Sequence, residues 1–96
     1  MKVHVSSGVS QGLLLSKVNP IYPDDARRKG IQGVVVLKAT IGQDGSIGDL
    51  QVVSGAQELV PAAVEAVRQW RYKPLLYMGI PVEAETQIQV NFTLSR

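Results

Sequence analysis

Few side chains in this 96-residue chain could do chemistry, and none has the company that chemistry needs. His4 is the only histidine; it lies in a stretch of small polar residues with no partner for metal binding or proton transfer. Ser16-Lys17 has the residue types of a serine–lysine hydrolase, but an isolated dipeptide carries almost no signal. Glu83 and Glu85 are two apart, which puts both carboxylates on one face of a strand. Such a pair serves acid–base catalysis when buried. Here it alternates with other outward polar residues and reads as a solvated face. Asp44, Gly45 and Asp49 have the residue types of a calcium loop without its spacing or its terminal glutamate, and a hairpin turn explains them better. No active site, metal or cofactor is expected.

The bulk numbers agree with a small recognition module. At 96 residues there is room for one domain, and 45% hydrophobic content is enough to give it a core. The net charge of +2 is mild, and six of the ten Lys and Arg residues fall in two small groups, Arg27-Arg28-Lys29 and Arg68-Arg71-Lys73. A nucleic-acid partner would call for a broader basic surface, so none is expected. With no cysteine, disulfides and thiol catalysis are excluded, as suits an oxidising compartment without proving one. Leu13-Leu14-Leu15 is far too short to cross a bilayer, and no signal peptide is visible. If the natural protein is anchored, that segment lies outside this chain.

The elements follow from pattern. Residues 1–17 read as a flexible lead-in or an extra edge strand, with β-prone pieces at Val3 to Val5 and Leu13 to Val18. Pro20 and Pro23 then break any strand. Asp24 and Asp25 open a short helix, Arg27, Arg28 and Lys29 close it in the sense its dipole favours, and Gly30 stops it. From Gly33 the period becomes two, with Val35, Leu37, Ala39 and Ile41 on one face. Asp44-Gly45 tips a hairpin into a second strand, Ile47 to Ser54. Leu59, Ala62, Ala63, Ala66, Val67 and Trp70 form the stripe of a helix from about Glu58 to Arg71, with Pro61 in its first turn. A loop carrying Gly79 and Pro81 leads to a long final strand, Val82 to Leu94. Its Val82, Ala84, Ile88, Val90, Phe92 and Leu94 share a face on which Thr86 is the only polar residue. The expected architecture is α+β: a three- or four-stranded antiparallel sheet with two helices packed on one face. If the final strand lies at the sheet edge, its unpaired main-chain groups are either shielded or used to accept an added strand.

These residues also carry a family resemblance. Tyr22-Pro23, Ala26, Gly30-Ile31-Gln32-Gly33-Val34-Val35, Asp44-Gly45, Ala62 to Ala66, Trp70-Arg71-Tyr72-Lys73-Pro74, Gly79-Ile80-Pro81-Val82 and Val90-Asn91-Phe92 resemble, in order, the C-terminal domain of TonB. The resemblance covers about residues 18 to 95, so the domain is placed at 18–96. It implies a periplasmic domain of an energy transducer anchored in the inner membrane of a Gram-negative bacterium. Such a domain captures the Ton box of outer-membrane transporters by strand addition. It couples the proton gradient, through ExbB and ExbD, to uptake of iron chelates or cobalamin. On that likeness Asn19, Pro20, Tyr22 and Pro23 lie next to the bound Ton box, and Gln87, Ile88, Gln89, Val90 and Asn91 offer the pairing edge. Trp70 and Tyr72 read as structural. Residues 3–18 are the departure that matters: they could cover that edge, or exchange between two chains to give a homodimer. The alternative function keeps the fold as a scaffold or sensor-output module fused to another protein.

Overall fold

A computed structural model describes residues 2–94. In chain order the elements are β1 (Lys2–His4), α1 (Ser7–Gly12), β2 (Leu14–Ser16), α2 (Asp24–Lys29), β3 (Gly33–Ile41), β4 (Ile47–Ser54), α3 (Val60–Arg68), β5 (Arg71–Tyr72), β6 (Leu75–Tyr77) and β7 (Ile80–Phe92). The main sheet has the order β1-β7-β3-β4, with β6 also paired to β7; β2 and β5 form a separate two-stranded ribbon. The expected α+β frame is present. Strands β3, β4, β6 and β7 pair antiparallel, while β1 adds a parallel strand that makes the sheet mixed.

The core forms where the period-two and helical stripes meet. Val35, Leu37, Ala39 and Ile41 from β3 and Ala84, Ile88, Val90 and Phe92 from β7 are all buried. Against them pack Ala26 of α2 and Ala63 and Val67 of α3. Each large aliphatic side chain sealed in this way stabilises the fold by about 1.5–3 kcal/mol. Helix α2 ends as its sequence dictates: Gly30 takes a left-handed φ of 69° and its N–H closes back on the last turn.

Three local features differ from the expectation. Helix α3 stops at Arg68, so Trp70 lies beyond the helix although it is 4% exposed. The segment after Pro74 is a β6–β7 hairpin rather than a loop, turned by Met78 (φ 52°) and Gly79 (φ 80°). Two consecutive left-handed residues are what a type I′ hairpin turn requires. Pro81 faces Leu76 at a non-hydrogen-bonded pair, so its missing N–H costs that ladder nothing. Finally, Ser7–Gly12 is helical, a third helix.

The hairpin between β3 and β4 ties this frame to the lead-in. Asp44 accepts from Ser46 N at 3.0 Å and Ser46 Oγ at 2.6 Å, and these bonds hold its carboxyl below the usual carboxylate range. Tyr72 N–H donates to the carbonyl of Gly45 at 2.9 Å, and Lys73 N–H to that of Leu13 at 2.7 Å. A side chain at position 45 would collide: a Cβ there would sit 1.8 Å from the Tyr72 carbonyl oxygen.

Candidate functional site

Parity along β7 decides which of its main-chain groups are free. The β3–β7 register runs without a break from Gly33↔Phe92 to Ile41↔Ala84. A strand residue points its N–H and C=O to the same side, and successive residues alternate. On the side away from β3, Val5 N–H donates to Glu85 C=O at 2.9 Å, and Ser7 Oγ donates to Gln87 C=O at 2.9 Å. Odd-numbered residues therefore point outward and even-numbered ones bond to β3. Among the described residues no strand pairs with β7 on its outer side beyond Glu85. Gln89 and Asn91, together with the N–H of Gln87 whose carbonyl Ser7 Oγ already caps, thus point main-chain groups outward over roughly 13 Å of strand.

The chain preceding α2 lies alongside this edge. A cleft of about 360 Å³ opens between Gln87, Ile88 and Gln89 on one side and Ser7, Gln11, Leu14 and Lys17 on the other, with Trp70 and Tyr72 also in its wall. A smaller one, about 110 Å³, is lined by Lys17, Asn19, Pro20, Trp70, Gln89, Val90 and Asn91. Together they follow the free stretch of β7. Trp70 fixes the outer wall: its Nε1–H donates to the Val18 carbonyl at 2.8 Å, and Lys17 Nζ stands 5.5 Å from its ring centroid. At the inner end Thr86 Oγ1 donates to Ser10 Oγ at 3.0 Å, which donates in turn to the Ser7 carbonyl, so the one polar residue of the inward face is satisfied by α1. Burial pushes the Tyr72 hydroxyl pKa up to about 12, so it stays neutral across the physiological range.

The expected site residues separate into two groups. Asn19, Pro20, Gln87, Gln89 and Asn91 come together along the edge; Ile88 and Val90 also border the clefts, but their side chains belong to the core. The main-chain groups of Ile88 and Val90 face β3 instead. Tyr22 and Pro23 serve the framework. The Tyr22 hydroxyl donates to the Ile31 carbonyl, its ring meets Phe92 edge-on at 5.5 Å, and Pro23 is the residue before the first turn of α2. Lys17 and Ser7 belong to the site although neither stood out in the sequence as a binding residue. The only signal in the sequence is the closeness of Lys17 to Asn19; nothing marks Ser7, since no helix is expected there. Trp70 and Tyr72, read as structural, are so, and they also form the wall.

The class of architecture is a helix-backed sheet whose long final strand leaves part of its edge unpaired beside a cleft of mixed polar and apolar lining. The comparisons give that class a family. Residues 18–94 match the family described as Gram-negative bacterial TonB protein C-terminal, and the chain belongs to it. Protein TonB of Vibrio cholerae is 33% identical over 84 residues, covering 85% of this chain and 34% of the relative. TonB2 of Pseudomonas aeruginosa is 40% identical over 78 residues, covering 79% and 29%. The chain therefore spans about a third of the length of the curated relatives it matches. The solution structure of the Pseudomonas aeruginosa TonB C-terminal domain superposes with a TM-score of 0.72 at 28% identity, covering 86% of each chain. A solved structure of TonB2 from Vibrio anguillarum gives 0.64 at 29%, covering 88% of this chain and 82% of that one. Proteins of this family are energy transducers and not enzymes.

Proposed function

We propose that this chain is the periplasmic docking domain of a TonB-like energy transducer, and that it captures the Ton box of an outer-membrane transporter by adding it as a strand to β7. The observation that carries this reading is the row of outward main-chain groups at Gln87, Gln89 and Asn91, flanked by the Trp70–Lys17 wall. Strand addition draws affinity from backbone pairing and selectivity from alternate side chains, which here would meet the cleft beside Ile88. Among the described residues no helix is long and apolar enough to cross a membrane. Anchoring in the inner membrane and contact with ExbB and ExbD would belong to the rest of the protein. The energy delivered would come from the proton gradient and drive uptake of iron chelates or cobalamin-like substrates. The same edge would serve a strand-exchanged homodimer, which light scattering at two protein concentrations distinguishes.

Titration of the labelled domain with a synthetic Ton-box peptide tests the docking. The amides of Gln87, Gln89 and Asn91 and those around Asn19 should shift together, with little dependence on salt. Shifts confined to β4 or to the β6–β7 hairpin would overturn the proposal.

A further inference from the structure

The free stretch of β7 is the continuation of an edge already in use. Lys2, Val3 and His4 lie parallel to Glu83, Ala84 and Glu85, Val5 N–H bonds Glu85 C=O, and Ser7 Oγ caps Gln87 C=O. These contacts take outward groups from the same row to which Gln89 and Asn91 belong. We infer that residues 2–7 are a displaceable occupant of the edge, built into the chain. A docking segment longer than about five residues, running past Gln87 toward Glu83, must peel β1 away. This rests on the reading that β7 accepts an added strand.

The attachments of β1 suit release. It pairs over three positions, and parallel pairing is slightly weaker per residue than antiparallel. Lys2 and His4 are exposed, and only Val3 and Val5 are partly covered. Its side-chain contacts converge on Glu85, whose side chain is 13% exposed: Lys2 Nζ stands at 3.8 Å and His4 Nδ1 at 3.0 Å. The β1 partners themselves face solvent, Lys2 in part and His4 mostly, which limits what these contacts add. Lys38 Nζ, from β3, stands 3.5 Å from the same carboxylate and remains when β1 leaves. Glu85 is then never stranded without a partner, which removes the largest penalty that displacement would otherwise carry. The edge is thereby closed to short, indiscriminate pairing at Glu83–Glu85 and open to a segment long enough to compete for it.

The test uses the whole chain and two synthetic peptides cut from one Ton box, about five and about nine residues long. Since the chain has no cysteine, Lys2→Cys with Glu83→Cys, at paired positions, locks β1 down on oxidation and frees it on reduction. Val5→Pro removes the donor to Glu85 and loosens β1 instead. Both peptides should shift Gln89 and Asn91, and only the longer should release the Val5 amide to exchange. Locking should leave the short peptide unaffected and weaken the long one at least tenfold, reversibly. Val5→Pro should tighten the long one by roughly threefold to tenfold, the scale of one lost hydrogen bond. If both peptides engage Gln89 and Asn91 but the oxidised protein binds the long one as well as the reduced form does, the inference fails and the docking proposal stands. If neither peptide moves those amides, both fail.

Discussion

Two prolines one residue apart on β7 should have opposite effects. At Gln89 the N–H points away from β3, toward the open edge, so Gln89→Pro leaves the β3–β7 ladder whole. What it removes is one donor to the incoming strand, worth about 1 kcal/mol, and its ring also presses on that strand. A total of about 1–2 kcal/mol corresponds to a Kd raised roughly five- to thirtyfold. The variant's own stability should fall by no more than about 1 kcal/mol, or roughly 4–8 °C in Tm for a domain of this size. At Val90 the N–H points at Val35, and both residues are buried. Val90→Pro therefore breaks a central ladder and orphans a buried carbonyl, costing about 3 kcal/mol or more. That is a large part of the stability of a small domain. Circular dichroism melting with calorimetric titration of a Ton-box peptide separates the two. A folded Gln89→Pro protein that binds like the parent would refute the assignment of the edge, and a Val90→Pro protein that melts normally would refute the parity.

Three further outcomes follow from particular contacts. Ser10→Ala leaves the buried Thr86 hydroxyl without its partner and should cost about 1–3 kcal/mol in denaturant melts, while adding Thr86→Val should recover most of the loss. Gly45→Ala sets a Cβ against the Tyr72 carbonyl at a φ of 85°, and should destabilise by about 3 kcal/mol or more and loosen the wall of the cleft, read as amide shifts at Lys73 and Trp70. Because burial raises the Tyr72 pKa from 10.0 to about 12, the folded state holds a proton that the unfolded state releases first. The stabilisation is complete below pH 10 and is lost as pH climbs toward 12, and Tyr72→Phe should flatten that alkaline slope.

Much of the fold was legible because local signals and tertiary demand agree. In α2 the acid-to-base order and Gly30 both mark the same ends, and in β3 Val35, Leu37, Ala39 and Ile41 are buried as the period of two requires, with Thr40 buried beside them at the strand's end. What escaped depends on distant partners. Helix α1 contains Gly8 and Gly12, poor helix formers, and is held by the Ser6 side chain accepting from Val9 N and by the bonds of Ser7 and Ser10 to β7 and to one another. A strand as short as β1 has no pattern that could announce a parallel partner eighty residues away. The β6–β7 turn was hidden because methionine occupies a left-handed position that hairpins usually give to asparagine or aspartate. Of the candidate site, the final strand is singled out by its pattern and Asn19 through the family resemblance. The division of β7 into outward and inward main-chain groups could not be read from sequence, since it needs to be known which side β3 takes.

Amide hydrogen exchange along β7, with and without a Ton-box peptide, reaches the free edge itself. In the free protein Ile88 and Val90 should exchange slowly while Gln89 and Asn91 exchange fast, and peptide should slow the fast pair without changing the slow one. Equal protection of all four residues before any peptide is added would mean that the edge is not open, and would contradict docking at β7.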